Sequence, residues 1–172
     1  NASSGVVTFG SAPNYETKAS YSITVSVSDG TNTASQAVTI SVTNVNESPT
    51  ALALSASSIT ENAAGASVGT LTTSDVDSGD TFTYTLSGTD ASWFEISGST
   101  LKLKDTVSAN YESQASYTVV VTTTDAGGLT TNETFAVSVA NVNETPTALA
   151  LSASSMAENA IGATVGILST TD

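Results

Sequence analysis

The side chains of this sequence that could do chemistry are carboxylates, and they recur in fixed surroundings. Glu61-Asn62 returns as Glu158-Asn159, and Asp75-Val76-Asp77 begins again at Asp172. Asn14-Tyr15-Glu16 returns as Asn110-Tyr111-Glu112, and Asp29 and Asp125 each close a stretch that opens on Tyr. Glu47 lies in Asn44-Val45-Asn46-Glu47-Ser48-Pro49, and Glu144 in Asn141-Val142-Asn143-Glu144-Thr145-Pro146. Together these motifs hold 11 of the 16 acids, so a merely solvated acidic face does not account for the placement. Three lysines and no arginine oppose them, leaving a net charge of −13. Unopposed charge of one sign destabilises a compact state by self-repulsion. A hard divalent cation, which oxygen ligands suit, is the simplest neutraliser.

The missing residue types exclude several functions. Without His the chain lacks the commonest general base and the usual zinc ligand. Without Cys it has no disulfide and no thiolate site, and neither a Ser-His-Asp nor a Cys-His set can form. Paired carboxylates fit metal ligation better than a glycosidase pair, so no enzyme is expected. Nucleic-acid binding and a polybasic membrane contact both need a basic footprint that is absent. No apolar run approaches the roughly 18 residues of a membrane span. No signal peptide opens the segment, so any export signal or anchor is expected outside it.

The elements that must position the acids come from a repeat. Residues Asn44–Asp75 match Asn141–Asp172 at 24 of 32 positions, at an offset of 97. A second match at offset 96 pairs Tyr21 with Tyr117 and Asp29 with Asp125; the slip falls where Gly127-Gly128 faces Gly30. A period near 97 is the size of one immunoglobulin-like sandwich. We place joints at Asn44–Pro49 and Asn141–Pro146. That gives residues 1–45 as the C-terminal half of one repeat, 46–142 as a complete repeat and 143–172 as the first third of another. The ends read as an excerpt from a longer array, with one chain's tail completing another's head as the second option. Tyr21, Ile23, Val25 and Val27 alternate with Ser and Thr, as do Phe82, Tyr84 and Leu86, Leu101 and Leu103 with lysines, and Phe135, Val137 and Val139 with small residues. This period of two predicts strands with one buried face. Seven strands over residues 50–141, with no helical period, predict an all-β Greek-key sandwich. Trp93, Phe94 and Ile96 are expected in its core. Charged residues are only 11%, and 58 Ser and Thr keep the surface wettable instead, as suits a β-rich spacer.

The acidic motifs, taken in order at this spacing, resemble those of cadherin repeats in their bacterial-type variant: a Glu-Asn motif, an Asp-x-Asp motif, an Asp-x-Glu-like motif, an aspartate closing a Tyr-led strand, and an acidic linker ending in Pro. The resemblance implies tandem seven-stranded sandwiches, an extracellular or cell-surface setting, and calcium between successive repeats. By position, the first joint would use Asn14 and Glu16, then Asn44, the Val45 carbonyl, Asn46, Glu47 and the Ser48 carbonyl, then Asp75, Asp77 and Asp125. The second would use Glu61, Asn110, Glu112, Asn141, Asn143, Glu144 and Asp172. Calcium takes six to eight oxygen ligands, which one strand cannot supply, so two repeats and their linker must share the sphere. Asn14, Asn110, Asn44 and Asn141 stand where the family pattern has Asp, which predicts fewer or weaker ions.

The expected role is a calcium-stiffened structural and adhesive spacer in a surface adhesin or fibre, with neighbouring repeats or other copies as partners. The alternative is a module recognising glycan or protein, which would need an aromatic platform outside the core. Sequons at Asn1, Asn46, Asn132 and Asn143 are possible glycan acceptors; Asn132 is the best placed, because Asn46 and Asn143 overlap the metal motifs.

Overall fold

The structure is a computed structural model describing residues 5–159 and 161–171, so Asp172 and the sequon at Asn1 lie outside the described residues. Strands β1 (Ser20–Ser28) and β2 (Thr33–Ser41) form an antiparallel hairpin running from Ser20 opposite Ser41 to Ser28 opposite Thr33. The next eight strands are β3 (Ala51–Leu54), β4 (Ser58–Thr60), β5 (Ser67–Ser74), β6 (Thr83–Ser87), β7 (Phe94–Ser97), β8 (Thr100–Leu103), β9 (Ser116–Thr124) and β10 (Thr130–Ala140). They make two four-stranded sheets, ordered β3-β5-β8-β7 and β4-β10-β9-β6. Strands β11 (Ala148–Leu151) and β12 (Leu168–Thr171) pair antiparallel, repeating the β3–β5 pairing at the same spacing.

The sandwich of residues 51–140 is the one expected, with its first strand divided in two. The chain pairs antiparallel with β5 as β3, crosses at Ser55–Ser57, and then pairs parallel with β10 as β4. That crossing presses on β5 at Gly69, beside a break in the β5–β8 register. A Cβ at Gly69 would lie 2.8 Å from the Ala56 nitrogen and 2.9 Å from the Ser55 hydroxyl, so only glycine lets the strand change sheets here.

Alternation decides which side chains face inward. Along β9, Tyr117, Val119, Val121 and Thr123 are buried, while the residues between them are less so. Val137 and Val139 of β10, Leu101 and Leu103 of β8, Phe94 and Ile59 meet Tyr117 and Val119 in one apolar cluster. Leu52, Leu71 and Val121 form a smaller one toward the strand ends that carry the acids. Thr123 is fully buried among them, and its hydroxyl is satisfied 3.1 Å from that of Thr73, which lies 3.1 Å from the Tyr84 hydroxyl.

Two expectations are corrected. Trp93 lies on a 3-10 turn (Ala91–Trp93) at the rim, 39% exposed and tilted against the Tyr117 ring at 5.4 Å, so of the aromatic pair only Phe94 enters the core. The apolar face of β1 is not covered throughout, since Val27 is 69% exposed. A two-stranded ribbon has an inner face but, among the described residues, no sheet opposite it. Leu101→Ala should therefore cost about 2–5 kcal/mol of unfolding free energy, and Val27→Ala less than about 0.5 kcal/mol, as read by urea denaturation. Equal effects would contradict this assignment of the core.

Candidate metal centre

Strand register carries the acids to common points. Strand β6 runs antiparallel to β9 with Thr83 opposite Thr124, so Asp80, just before β6, lies beside Asp125, just after β9. Strand β4 runs parallel to β10 with Thr60 opposite Ala140, which sets Glu61 beside the chain leaving β10 at Asn141 and Val142. Strand β3 lies opposite β5 with Ala51 facing Ser74, so Asp75 and Asp77 emerge next to the linker that enters β3.

Three clusters result, each with carboxylate oxygens within 4.8 Å of one another: Glu16, Glu47 and Asp77; Asp75, Asp80 and Asp125; and Glu61, Glu112 and Glu144. The linker holds the first two. Asn44 Nδ2 donates to Asp77 Oδ1 at 2.9 Å, the Glu47 backbone N–H donates to Asp77 Oδ2 at 2.8 Å, and Asn46 Nδ2 donates to Asp125 Oδ2 at 3.0 Å. Asn46 sits so close to Gly127 that any Cβ there would collide with its amide, which explains a glycine in this turn. Pro49 is buried and its carbonyl accepts from the Thr131 hydroxyl at 2.6 Å, fixing the linker to β10. In the third cluster Glu61, 2% exposed, accepts from the backbone N–H of Tyr111 and of Val142, both at 2.7 Å. Asn62, in the left-handed region at φ 62°, turns the chain away and donates to Glu144 Oε1.

The electrostatics separate these acids into two kinds. Backbone N–H groups from Tyr111 and Val142 hold the Glu61 carboxyl below its ordinary range, and the Glu47 N–H, with the Asn44 amide, does the same for Asp77. Burial raises Glu47, and the nearby charges of Glu16 and Asp77 raise it further. Burial likewise raises Asp80, with Asp125, Asp75 and Asp77 adding to it. Glu47 Oε2, Asp75 Oδ2 and Asp80 Oδ2 are buried without a hydrogen-bond partner. The described ion pairs do not relieve them: Lys102 is taken by Glu95 and Asp105, and Lys18 lies over the Tyr21 ring at 4.5 Å. Orphaned, buried and all-oxygen donor sets fit a hard divalent cation and not a thiolate- or imidazole-seeking one.

The expected ligands of the first joint meet at the linker but divide, Asp77 joining Glu16 and Glu47 while Asp75 joins Asp125. Glu61, Glu112 and Glu144 come together, and Asn141 Nδ2 donates to Glu112 Oε1 at 3.0 Å. Asn14 and Asn110 shape the turns that present Glu16 and Glu112: Oδ1 of each accepts at 2.7 Å, from the N–H of Thr17 and Ser113 respectively. Asn143 donates to the Glu144 carbonyl at 3.3 Å, and Val45 and Ser48 lie exposed on the linker. Asp29 turns on its own loop, accepting from Thr31 and Asn32, which lowers its pKa. Sequence reasoning left out Asp80 and gave Asn62 only as part of the Glu61-Asn62 motif. The available signal for Asp80 was a further acid three residues after Asp77 across a glycine turn.

A family model described as the cadherin domain matches residues 55–142. No curated protein matches the chain. Among solved structures, the extracellular domain of protocadherin GammaB4 is 25% identical, with a TM-score of 0.69 over 92% of this chain and 27% of that one. The EC1-4 fragment of PcdhgB3 is 26% identical, with a TM-score of 0.62 over 76% of this chain and 33% of that one. Human protocadherin-24 EC1-2, 23% identical at a TM-score of 0.62, shares the fold over 77% of this chain and 71% of its own. The chain thus spans about a third or less of the first two structures.

The two kinds of carboxyl predict opposite pH behaviour in chelator. Glu61 and Asp77, lowered on folding, stabilise the chain above their ordinary values of 4.5 and 3.8, and that stability is lost as pH falls through the folded values. Glu47 and Asp80, raised on folding, cost stability as pH rises from 4.5 and 3.8 through theirs. Urea midpoints from about pH 3 to about pH 7 should therefore show Glu61→Gln destabilised at neutral pH and Glu47→Gln stabilised there. The same sign for both would contradict the assignment.

Proposed function

This chain belongs to the cadherin family, as the match over residues 55–142 establishes, and on that premise we propose that it is a calcium-stiffened spacer in an extracellular adhesive array. Cadherin domains are adhesion modules and not enzymes. The repeats meet at Asn44–Pro49 and Asn141–Pro146, with 46–142 as the complete repeat, 1–45 and 143–172 belonging to its neighbours, and further repeats or other copies of the chain as partners.

The observation that carries this reading is the convergence of carboxylate oxygens from separate elements. Glu16 precedes β1, Glu47 is in the linker and Asp77 follows β5, yet their oxygens converge to within 4.8 Å. These side chains hold one another at that distance only against mutual repulsion. Calcium, when bound, would supply the positive charge that makes the convergence favourable. Because its oxygens would come from the hairpin, the linker and the following sandwich, binding selects one arrangement of the three by linkage. Asn44 and Asn46 hold the linker against Asp77 and Asp125, and a half-turn of either amide would present oxygen in place of nitrogen.

Thermal melting of the chain against calcium tests this. Extracellular calcium modules have dissociation constants of about 10⁻⁴–10⁻³ M. At roughly 100-fold excess each site adds about 2.7 kcal/mol, a rise of several degrees in melting temperature that chelator reverses. No shift up to about 10 mM calcium, well above that affinity range, would overturn the proposal.

A further inference from the structure

We infer that the β1–β2 hairpin of one copy receives the β11–β12 strand pair of a second copy, joining chains head to tail. The inference rests on the part of the reading above in which other copies are partners, and it names the surfaces that meet. It does not need calcium.

Three observations carry it. The inward positions of the hairpin repeat those at the centre of the sandwich: Tyr21, Ile23 and Ile40 correspond to Tyr117, Val119 and Val137. In the sandwich those three are buried, whereas in the hairpin they line an open cavity together with Val7 and Phe9. On the strand pair, Leu149, Met156, Val165 and Leu168 correspond to Leu52, Ile59, Val68 and Leu71. The sandwich buries its four to 8% exposure or less, while Val165 is 39% exposed and Leu149 72%. Ile59 and Val68 share one core cluster with Tyr117, Val119 and Val137, so each surface offers the side chains that the other leaves uncovered. The backbone repeats the pairing as well. Gly166 reproduces the close crossing of Gly69, with a Cβ there 2.8 Å from the Ala153 nitrogen, and that crossing is what delivers β4 to β10 in the sandwich. The matching edge of β2, away from β1, is unpaired among the described residues, and an open edge is a template for an added strand.

Between them the two segments match the complete repeat except for β6 and β7, each of which is an outer strand of its sheet. The ring that β7 contributes is already replaced in the hairpin, where Phe9 meets Tyr21 edge-on at 5.0 Å, as Phe94 meets Tyr117 at 5.6 Å. The two surfaces differ, so the join is heterologous. Each added copy still presents one free hairpin and one free strand pair, and the assembly grows. A net charge of −13 on every copy opposes the meeting, so screening by salt should strengthen it.

Sedimentation velocity of the full chain in chelator tests this, with Ile23→Asp to block the hairpin and Leu149→Asp to block the strand pair. From about 1 µM to about 1 mM, a range that spans moderate to weak association, the wild-type chain should form multimers that lengthen with concentration and with salt. Each variant alone should stay monomeric. An equimolar mixture of the two should stop at the dimer, because one intact hairpin meets one intact strand pair. Melting of the central sandwich, which neither change touches, should be the same in all three chains and so separates blocked docking from misfolding. A wild-type chain that stays monomeric throughout, a mixture that stays monomeric, or a variant that assembles as the wild type does would overturn the inference. Because calcium is absent from every arm, such a failure leaves the calcium reading standing, and a failure of the calcium reading leaves this assembly intact.

Discussion

The structure depends on crowding of like charge at the ends of its strands. Nine carboxylates converge in three groups, and Lys102 and Lys18 are engaged elsewhere. Hydrogen bonding relieves only part of the crowding. Backbone N–H groups steady Glu61 and Asp77 as anions, whereas Glu47 and Asp80 are partly buried against their own kind. A fold that held such groups with no compensating cation would be working against itself. Everything else at the joint, including the buried Pro49, the close approach of Asn46 to Gly127 and the amides on Asp77 and Asp125, keeps the linker where the charge is densest.

The sandwich makes this possible by register. Strand pairing fixes which chain ends are neighbours: β6 begins where β9 ends, and β4 ends where β10 ends. The acids sit one to four residues outside the paired segments, so they inherit a placement from the apolar core while remaining at the margin where a second repeat or a linker can reach them. The split of the first strand between the sheets belongs to the same geometry, because β4 must join β10 for Glu61 to meet Val142.

Much of this was legible in the sequence. Period-two alternation gave the strands of the sandwich, since each inward side chain has to be apolar on a half-buried sheet. The recurrence of Glu61, Glu112 and Glu144 in ordered motifs marked a set that does converge. Less legible was anything that depends on which strands become neighbours. Asp80 reads as one more loop acid until β6 is seen beside β9. The different destinations of Asp75 and Asp77, two residues apart, follow from a turn whose direction no periodicity encodes. Trp93 is apolar enough for a core, but its 3-10 turn places it at the rim. The exposure of Val27 reflects the absence of a facing sheet among the described residues, which alternation along a single strand cannot reveal.

The most direct test of the central claim, that cation binding at crowded carboxylates fixes the joint, is small-angle X-ray scattering of the chain in calcium and in chelator. We expect calcium to narrow the distribution of sizes to a single extended particle, and chelator to broaden it as the linker is released. Superimposable curves under conditions where calcium is bound would contradict the claim, leaving the clusters as cation sites that do not govern how the repeats are joined.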